Sequence, residues 1–470
     1  MNENLYALLA ARFPADRKAP CFILADGTEI SYGEVEAGVG RLAALLKARG
    51  VEPGDRVAVQ APKSPQAVML YLATLQVGAV FLPLNTAYTA AEIQYFQSDA
   101  EPRLFVQDAE ALAAEAALLA PLTDIHPARA GDLASIIYTS GTTGRSKGAM
   151  LSHGNLASNA LALHEAWGFT ERDVLIHALP IFHIHGLFVA LHCILLSGAP
   201  MLWFERFDGP QVLAALPRAT VLMGVPTFYV RLLADPGFTA AAAGHMRLFV
   251  SGSAPLLAST FAEFEDRVGM PILERYGMSE ALIITTNPLH GERIAGSVGY
   301  PLPGVELRIG GGEKTGVIQI KGPGVFSGYW RNPEKTAEEF TSDGYFITGD
   351  IGRRDPDGRV WISGRAKDLI ISGGFNVYPK EVEQLLDGFP GVVESAVIGL
   401  PHPDFGEGVV AVVAGEGDEA AMIGQARAQL AAFKVPKRIF FVEDLPRNAM
   451  GKVQKNQLRE AFKDAFAHAG

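Results

Sequence analysis

The run from Tyr138 to Gly148, YTSGTTGRSKG, constrains the fold more than any other segment of the chain. Residues 135–138, which overlap its first residue, predict a buried strand that leads straight into the run. Glycines let a backbone approach a ligand closely, and successive N–H groups in such a loop form a concave anion site. Hydroxyl groups and a lysine add donors for phosphate oxygens. The pattern predicts a polyphosphate-binding loop, with a merely flexible Ser/Gly loop as the alternative.

The spacing of this run differs from that of a P-loop NTPase, which needs G-x-x-x-x-G-K-[ST]. Five residues after Gly141 the chain has Ser146 rather than glycine, and Lys147 is followed by Gly148 rather than by Ser or Thr. The hydroxyl that binds magnesium in a P-loop is therefore missing at that position. The spacing indicates a phosphate loop of another type.

The composition indicates a globular protein of two or more domains, because 470 residues are too many for one core. Charged residues make up 19% of the chain, and the net charge of −11 argues against nucleic-acid binding as the main function. Two cysteines, Cys21 and Cys193, without a CxxC spacing argue against a disulfide framework and a cysteine zinc site. We therefore expect a reducing, cytoplasmic location.

Residues 64–91 carry no charge, a length sufficient for a membrane span. Gln76, Gly78, Pro83 and Asn85 interrupt the stretch, so it predicts a buried helix at about 65–75 and a buried strand at about 79–82 instead. The first residues also lack the basic and apolar regions of a signal peptide. We expect no membrane segment.

Alternating helix and strand patterns predict an α/β fold, in which parallel-rich sheets are flanked by helices. Ser31 and Glu34 have the capping-box spacing of a helix start, and Gly50 suits the end of that helix. Strand patterns follow at 56–60, 174–179 and 220–223, and helix patterns at 109–120 and 187–196.

The composition changes near Gly291, where glycines, prolines and short β-type runs become frequent. These runs predict a small barrel-like subdomain of the large N-terminal domain, and a compact, mobile α+β domain follows it. We place the boundary between residues 1–364, the ATP- and carboxylate-binding domain, and residues 365–470.

The run 138–148 resembles the phosphate loop of the adenylate-forming superfamily, which includes acyl-CoA synthetases, peptide-synthetase adenylation domains and luciferases. Enzymes of this family activate a carboxylate with ATP and usually pass the acyl group to a thiol. The resemblance implies Mg²⁺ as cofactor, ATP and CoA as co-substrates, and a catalytic, magnesium-binding role for Thr142. It assigns ATP binding in this run to Thr139, Ser140, Gly141, Thr142, Thr143, Gly144 and Lys147.

Two later segments, 251–255 and 274–280, resemble the nucleotide pocket of the same family in their order and spacing. The resemblance implies that Glu280 is catalytic and helps to hold magnesium, as a hard oxygen ligand does. An acid at a helix N-terminus is the alternative for this residue. The nucleotide contacts implied here are Gly252, Ser253, Ala254, Glu274, Tyr276, Gly277, Met278 and Ser279.

Three positions near the predicted boundary match further functional residues of the family. Asp350 matches the aspartate that accepts both ribose hydroxyls, for which one carboxylate has enough lone pairs. Arg365 matches the arginine that helps to hold ribose and phosphate, and Lys367 matches the hinge about which the small domain rotates. Without this context, an aspartate after a glycine is often only a turn residue.

Lys452 matches the catalytic lysine of adenylation, which bridges the carboxylate and the α-phosphate as negative charge develops. A solvated lysine among basic neighbours is the alternative. We also hypothesise that acylation of Lys452 switches the protein off, because its charge is lost. A lysine acetyltransferase would then be a partner.

The segment 372–379 resembles the glycine loop that lines the pantetheine tunnel, and this implies CoA contacts at Gly373, Gly374 and Phe375. Lys434 and Lys437 are candidates for contact with the CoA phosphates, and a solvated turn is the alternative.

His183 and His185 form an H-x-H pair, which also occurs in metal sites, but no third ligand has suitable spacing. The family resemblance places His183 near the acyl pocket. The closer resemblance, over nearly the whole chain, is to the malonyl-CoA synthetases, and it implies that Arg293 binds the second carboxylate with His185 nearby. A surface arginine paired with Glu292 is the alternative.

The sequence therefore predicts a magnesium-dependent malonate–CoA ligase that forms malonyl-AMP and then malonyl-CoA. A ligase for methylmalonate or another short acid is the alternative within the enzyme class. A catalytically silent nucleotide-binding protein on the same fold is the alternative outside it, and Lys452, Asp350 and Glu280 argue against it.

Overall fold

The structure is a computed structural model that describes residues 2–139, 146–312, 314–448 and 451–466. The chain divides into two compact units, the first comprising Met1–Glu306 with Ile320–Phe346 and the second Leu307–Gln319 with Ile347–Gly470. The predicted hinge residue Lys367 lies inside the second unit, and both the hinge and the boundary after residue 364 stay predictions.

The helices lie at α1 Leu5–Ala10, α2 Tyr32–Ala48, α3 Pro65–Gln76, α4 Ala90–Ala100, α5 Ala109–Ala116, α6 His153–Ala166, α7 Leu191–Ser197, α8 Gly209–Ala215, α9 Pro226–Leu233, α10 Ala258–Val268, α11 Pro333–Glu338, α12 Pro379–Leu386, α13 Glu419–Arg427 and α14 Lys455–Ala461, with a π-helix at His185–Ala190.

The strands lie at β1 Pro20–Leu24, β2 Glu29–Ser31, β3 Arg56–Val59, β4 Val80–Pro83, β5 Leu104–Val106, β6 Leu133–Thr139, β7 Lys147–Ser152, β8 Leu175–His177, β9 Met201–Trp203, β10 Val221–Gly224, β11 Leu248–Ser251, β12 Leu273–Met278, β13 Leu282–Thr286, β14 Ser297–Pro301, β15 Glu306–Ile309, β16 Thr315–Lys321, β17 Phe346–Arg354, β18 Val360–Arg365, β19 Ile370–Ser372, β20 Phe375–Val377, β21 Val392–His402, β22 Gly406–Gly415 and β23 Arg438–Val442.

Two sheets form the first unit. One has the order β5-β3-β4-β6-β7, parallel except for the antiparallel pair β6–β7. The other contains β14-β13-β12-β11-β10-β8-β9-β1-β2, whose central strands are parallel. Parallel strands need helical crossovers that cover both faces of a sheet, so this arrangement confirms the predicted α/β fold with parallel-rich sheets flanked by helices.

The local sequence signals explain several of these elements. Ser31 and Glu34 form the predicted capping box, and α2 follows at once. The charge-free stretch forms α3 and then β4, both buried within the first unit, as predicted. Among the described residues, none of the helices is sufficiently long and apolar to cross a membrane.

The second unit contains two groups of strands. The strands β15, β16, β17 and β18 are neighbours in that order, and β17 and β18 pair antiparallel. A smaller sheet has the order β20-β19-β22-β21, with β23 parallel to β22. Buried aliphatic residues of β21 and β22 pack on both sides of this sheet, against α12 and α13 on one side and α14 on the other. The small α+β domain has its own core.

Candidate active site

The strands β6 and β7 flank the predicted phosphate loop. Thr139 ends β6 and pairs with Lys147, the first residue of β7. The predicted contacts Ser140, Gly141, Thr142, Thr143 and Gly144 lie outside the described residues. The register nevertheless determines where the loop leaves and re-enters the sheet.

Glu280 lies in the connection between β12 and β13, with 7% of its surface exposed. Its Oε1 accepts hydrogen bonds from the Tyr329 hydroxyl at 3.2 Å and from Thr139 Oγ1 at 3.4 Å. Lys147 Nζ lies 5.1 Å from the centroid of the same tyrosine ring. The fold thus gathers Thr139, Lys147 and Glu280 around Tyr329.

This donor set suits a hard cation held together with phosphate oxygens. Mg²⁺ usually keeps several waters and takes only one or two protein carboxylates, as Glu280 would supply. Among the described residues no cluster of three or more His, Cys, Asp or Glu side chains could hold a metal by itself. His183 and His185 therefore form no such cluster with described residues.

The predicted adenine-side residues lie at the ends of neighbouring strands. Gly252, Ser253 and Ala254 follow β11, and Ser251 pairs with Glu274 of the parallel strand β12. The Glu274 carboxylate accepts the N–H of Gly296 at 3.0 Å, so it also braces the segment before β14. The remaining predicted nucleotide contacts are Tyr276, Gly277 and Met278, at the end of β12, and Ser279, in the connection to β13.

Arg275, on β12, is a candidate that the sequence analysis did not single out. Its side chain is buried, with 4% of the residue exposed. Within the part of the chain that the structure describes, its Nε and Nη2 atoms have no hydrogen-bond partner. Burial lowers the pKa of this guanidinium to about 9, with Tyr229 opposing the shift. A buried cation without a compensating anion is costly, so the site favours an anionic ligand.

Two predicted pocket histidines lie near this arginine. Burial, reinforced by the charge of Arg275, lowers the pKa of His183 to about 4 and places that of His185 well below its ordinary value. His185 Nδ1 lies 3.3 Å from Ser253 Oγ, and His183 Nδ1 accepts the N–H of His185 at 3.2 Å. Both imidazoles are therefore neutral at pH 7. Of these three side chains, only Arg275 carries a positive charge that could bind an anion.

Gly252 makes this arrangement possible. A Cβ at this position would lie 2.4 Å from Cζ of Arg275, so the guanidinium packs against the bare backbone. The next residue, Ser253, has a φ of 72°, a sparsely populated region for a residue with a side chain. The segment 251–253 thus brings the Arg275 guanidinium and the Ser253 hydroxyl to the same turn.

Arg293 has a different environment. Its Nη1 donates to the carbonyl of Pro271 at 2.7 Å, its Nη2 to Leu289 at 2.7 Å and its Nε to Pro288 at 3.0 Å. These three bonds tie the loop that carries it to the segment before β12. Each nitrogen of the guanidinium therefore donates to a backbone carbonyl, so these bonds give Arg293 a structural role in this loop.

The second unit brings together the predicted ribose and adenylation residues. Asp350 and Arg365 are opposite each other on β17 and β18, and Arg365 Nε lies 2.8 Å from Asp350 Oδ1. Burial and the positive charge of Arg365 lower the pKa of Lys452 to about 8, with Asp350 opposing the shift. Lys367 is close enough to add to the same shift, and burial lowers its own pKa.

The predicted CoA residues form the tight turn between β19 and β20. Gly373 and Gly374 have φ values of 59° and 81°, as a two-residue hairpin turn with Ser372 paired to Phe375 requires. Phe375 is 58% exposed and stacks on Phe433 at a centroid distance of 4.8 Å.

The two lysines suggested for the CoA phosphates are already engaged within this unit. Lys434 Nζ pairs with Glu381 at 2.5 Å, and Lys437 Nζ donates to the Ala432 carbonyl at 3.2 Å. A CoA phosphate would have to compete with these partners.

The described residues thus supply a buried carboxylate, Glu280, beside the last residue of β6, and an Asp350–Arg365 pair with a half-buried lysine, Lys452. These side chains suit an adenylate-forming enzyme. Residues 9–330 match the family model described as AMP-binding enzyme, and residues 381–452 match the AMP-binding enzyme C-terminal domain. The chain belongs to this family of AMP-binding enzymes, which confirms the predicted superfamily.

Similar proteins cover nearly the whole chain. A feruloyl-CoA synthase from Amycolatopsis sp is 37% identical, over 93% of this chain and 94% of the relative. A malonate–CoA ligase from Arabidopsis thaliana is 33% identical, over 94% and 86%. The crystal structure of ATP-bound MatB from Rhodopseudomonas palustris is 51% identical, with a TM-score of 0.96 over 99% of this chain and all of that one.

Proposed function

We propose that this protein is an ATP-dependent malonate–CoA ligase. The observation that carries the proposal is Arg275, a buried cation without a carboxylate partner among the described residues. Malonate supplies one carboxylate for activation and a second that can neutralise this cation. Similarity to a malonate–CoA ligase supports the proposal, whereas ferulate has no second carboxylate for Arg275.

In the first step, a malonate carboxylate oxygen attacks the α-phosphorus of ATP, and the bond to the pyrophosphate oxygen breaks. Lys452 offsets the negative charge that develops at the α-phosphate. Asp350 accepts the ribose hydroxyls, and Thr139, Lys147 and Glu280 act at the phosphates. Mg²⁺ held with Glu280 would neutralise phosphate charge when bound.

In the second step, the CoA thiolate attacks the acyl carbon of malonyl-AMP, and the bond to the AMP phosphate oxygen breaks. The products are malonyl-CoA and AMP. We assign the pantetheine contacts to the turn at Gly373, Gly374 and Phe375, and the change between the two steps to rotation at Lys367.

Arg275 replaces Arg293 as our choice for the residue that binds the second carboxylate. A guanidinium binds a carboxylate through two parallel hydrogen bonds, and two nitrogens of Arg275 have no partner among the described residues. Truncating one member of a buried charge pair costs roughly 2–5 kcal/mol, which at ~1.4 kcal/mol per tenfold is about thirty- to a few-thousand-fold. Acetate and propionate should be disfavoured relative to malonate by a similar factor.

The test compares Arg275→Met with Arg293→Met, following AMP and acyl-CoA formation from malonate, methylmalonate, sulfoacetate, acetate and propionate. We expect Arg275→Met to lower kcat/KM for malonate by about thirty-fold or more, while acetate turnover stays the same or rises. Arg293→Met should change kcat/KM for all the acids alike, through stability alone.

The other outcomes separate the alternatives. Selective loss of malonate turnover in Arg293→Met would restore the assignment made from sequence. Wild-type turnover of a monoacid at the malonate rate would overturn the diacid specificity, and faster methylmalonate turnover would make the branched diacid the substrate. ATP binding without any acyl-AMP would identify a catalytically silent nucleotide-binding protein.

Inactivation by acylation of Lys452 stays a hypothesis. The lowered pKa of this lysine increases its neutral, nucleophilic fraction, which acylation requires. Protein acetylated at Lys452 should lose adenylation and still convert added malonyl-AMP to malonyl-CoA. Full adenylation activity of the acetylated protein would refute the hypothesis.

A further inference from the structure

The helix that begins at His185 is a π-helix, a rare form in which an N–H bonds to the carbonyl five residues earlier. At its end, the N–H of Leu191 donates to the Gly186 carbonyl in this way. π-Helices are frequently found at functional sites. This one begins at the histidine that lies beside Ser253 and Arg275, so the contacts that hold its first turn bear on the acyl pocket.

One buried side chain reaches this turn from the sheet. His177, the last residue of β8, is 1% exposed, and its Nε2 lies 3.0 Å from the Gly186 carbonyl oxygen. A carbonyl can only accept, so Nε2 carries a proton and donates it. The same oxygen thus accepts two hydrogen bonds, one from Leu191 within the helix and one from His177. His177 therefore ties the π-turn to β8.

Neighbouring strands determine the place of His177 itself. Its ring packs against Trp203 of β9 at a centroid distance of 4.8 Å, and its carbonyl accepts the N–H of Phe204 at 3.2 Å. Lys63, between β3 and α3, donates to the same carbonyl at 2.7 Å and to that of Phe204 at 2.5 Å. Burial, and then the charge of Lys63, keep the pKa of His177 well below its ordinary value, so the imidazole is neutral.

A small shift of this turn would move His185. A Cβ on Gly186 would lie 2.2 Å from the Pro180 carbonyl oxygen, so the backbone of the turn packs directly on that segment. The preceding residue, His185, is fully buried, with its Nδ1 3.3 Å from Ser253 Oγ. The position of Gly186 therefore sets the position of the His185 imidazole.

We propose that His177 is a positioning residue for the second carboxylate of the substrate. It holds the π-helix at Gly186, and this places the His185 imidazole against Ser253 and Arg275. The inference rests on the proposed function in taking Arg275 and His185 as the site of that carboxylate. His177 acts through Gly186 and not by contact with the substrate.

The experiment compares His177→Leu, which removes the donor, with His177→Gln, which keeps an N–H near the position of Nε2. Kinetics give kcat/KM for malonate and acetate, and calorimetry gives the Kd of ATP. We expect His177→Leu to lower kcat/KM for malonate about tenfold, as for a lost buried hydrogen bond, and that for acetate less than about twofold. His177→Gln should recover most of the malonate activity, and both variants should keep the wild-type Kd of ATP.

Hydrogen exchange of the full chain gives a measurement that needs no acid substrate. The Leu191 amide bonds the carbonyl that His177 holds, so it reports on the π-turn itself. It should exchange about tenfold faster in His177→Leu than in wild type, and close to the wild-type rate in His177→Gln.

Two further variants separate this effect from a general loss of stability. Tyr71→Phe removes a hydroxyl that pairs with His192 Nε2 at 2.9 Å, while keeping the ring that lies 5.9 Å from that of Phe188 in the π-helix. It should lower the Tm and leave the malonate-to-acetate ratio of kcat/KM unchanged. His185→Ala removes the pocket imidazole and should lower this ratio at least as much as His177→Leu.

The outcomes distinguish failure of this inference from failure of the proposed function. A ratio that falls in His185→Ala and not in His177→Leu would overturn the inference alone, as would wild-type exchange of Leu191 in His177→Leu. Equal losses with malonate, acetate and ATP would also overturn it, because they indicate general destabilisation. A wild-type protein without preference for malonate, or a ratio unchanged in His185→Ala, would overturn the carboxylate assignment on which the inference rests.

Discussion

Lys452, the proposed catalytic lysine, lies in an environment that disfavours its charged form. The folded protein lowers its pKa from 10.5 to about 8, through burial first and then the charge of Arg365. In the proposed reaction the lysine acts as a cation, so the free protein loses the competent form as the pH rises through about 8. A bound phosphate would raise this pKa again, because it stabilises the ammonium form.

We therefore predict a falling limb in the pH profile of adenylation. The limb of kcat/KM should lie near pH 8, and that of kcat at higher pH, because kcat reports the substrate complex. Malonate-dependent ATP–pyrophosphate exchange measures both. Lys452→Arg should be slower at pH 7 and lack this limb, and a limb that stays in the arginine variant would assign it to another group.

Gly252 gives a second prediction at the residue scale. Gly252→Ala places a methyl group 2.4 Å from Cζ of Arg275, so the guanidinium must move. Overpacking of this kind costs about 1–3 kcal/mol, and we expect kcat/KM for malonate to fall by tenfold or more. Gly131→Ala is the matched control, since a Cβ there meets nothing within 4 Å. A Gly252→Ala protein with wild-type malonate kinetics would argue against Arg275 as the carboxylate-binding group.

At the scale of an element, the hairpin of β19 and β20 carries an aromatic side chain, Phe375, that its own domain does not bury. Phe375 is 58% exposed although it stacks on Phe433. Exposed aromatic groups beside a glycine turn suit a ligand that passes over them, as the pantetheine arm of CoA would.

Phe375→Ala should raise the KM for CoA about tenfold, which corresponds to loss of ~1.4 kcal/mol of binding. Formation of malonyl-AMP, measured by pyrophosphate release without CoA, should not change. Val393→Ala, at another exposed apolar position of 73% exposure, is the control and should leave both half-reactions as in wild type. Equal effects on adenylation and on CoA use would place Phe375 outside the CoA site.

At the scale of the whole molecule, a ligand that binds the folded chain and not the unfolded chain raises the free energy of unfolding. A ligand at 100 times its Kd contributes about 2.7 kcal/mol. With a non-hydrolysable ATP analogue present, malonate should therefore raise the Tm by a few degrees, while acetate at the same concentration should not. The malonate shift should vanish in Arg275→Met, and an equal shift with acetate would show that the second carboxylate is not recognised.

Much of the fold could be predicted from local sequence signals. The capping box at Ser31 starts α2, and the interruptions in the charge-free stretch separate α3 from β4, since both depend on neighbouring residues. The predicted buried helix at 187–196 is a π-helix followed by α7, because an apolar run does not distinguish the hydrogen-bond patterns of the two. Asp350 and Arg365, which the family resemblance assigns to ribose binding, form a close pair in the structure, as their proposed shared role requires.

The sequence by itself determined the α/β class, because that class depends on the periodicity of helix and strand patterns. It also determined the family, through a resemblance of motifs whose residues are close together in the chain. Only the tertiary structure introduced Arg275, in place of Arg293, as our candidate for the second carboxylate. Both are arginines in polar-looking segments, but β12 buries one against Gly252, while loop carbonyls surround the other. Burial and hydrogen-bond partners come from segments distant in sequence, so the free energy available to a ligand at each arginine is a property of the fold.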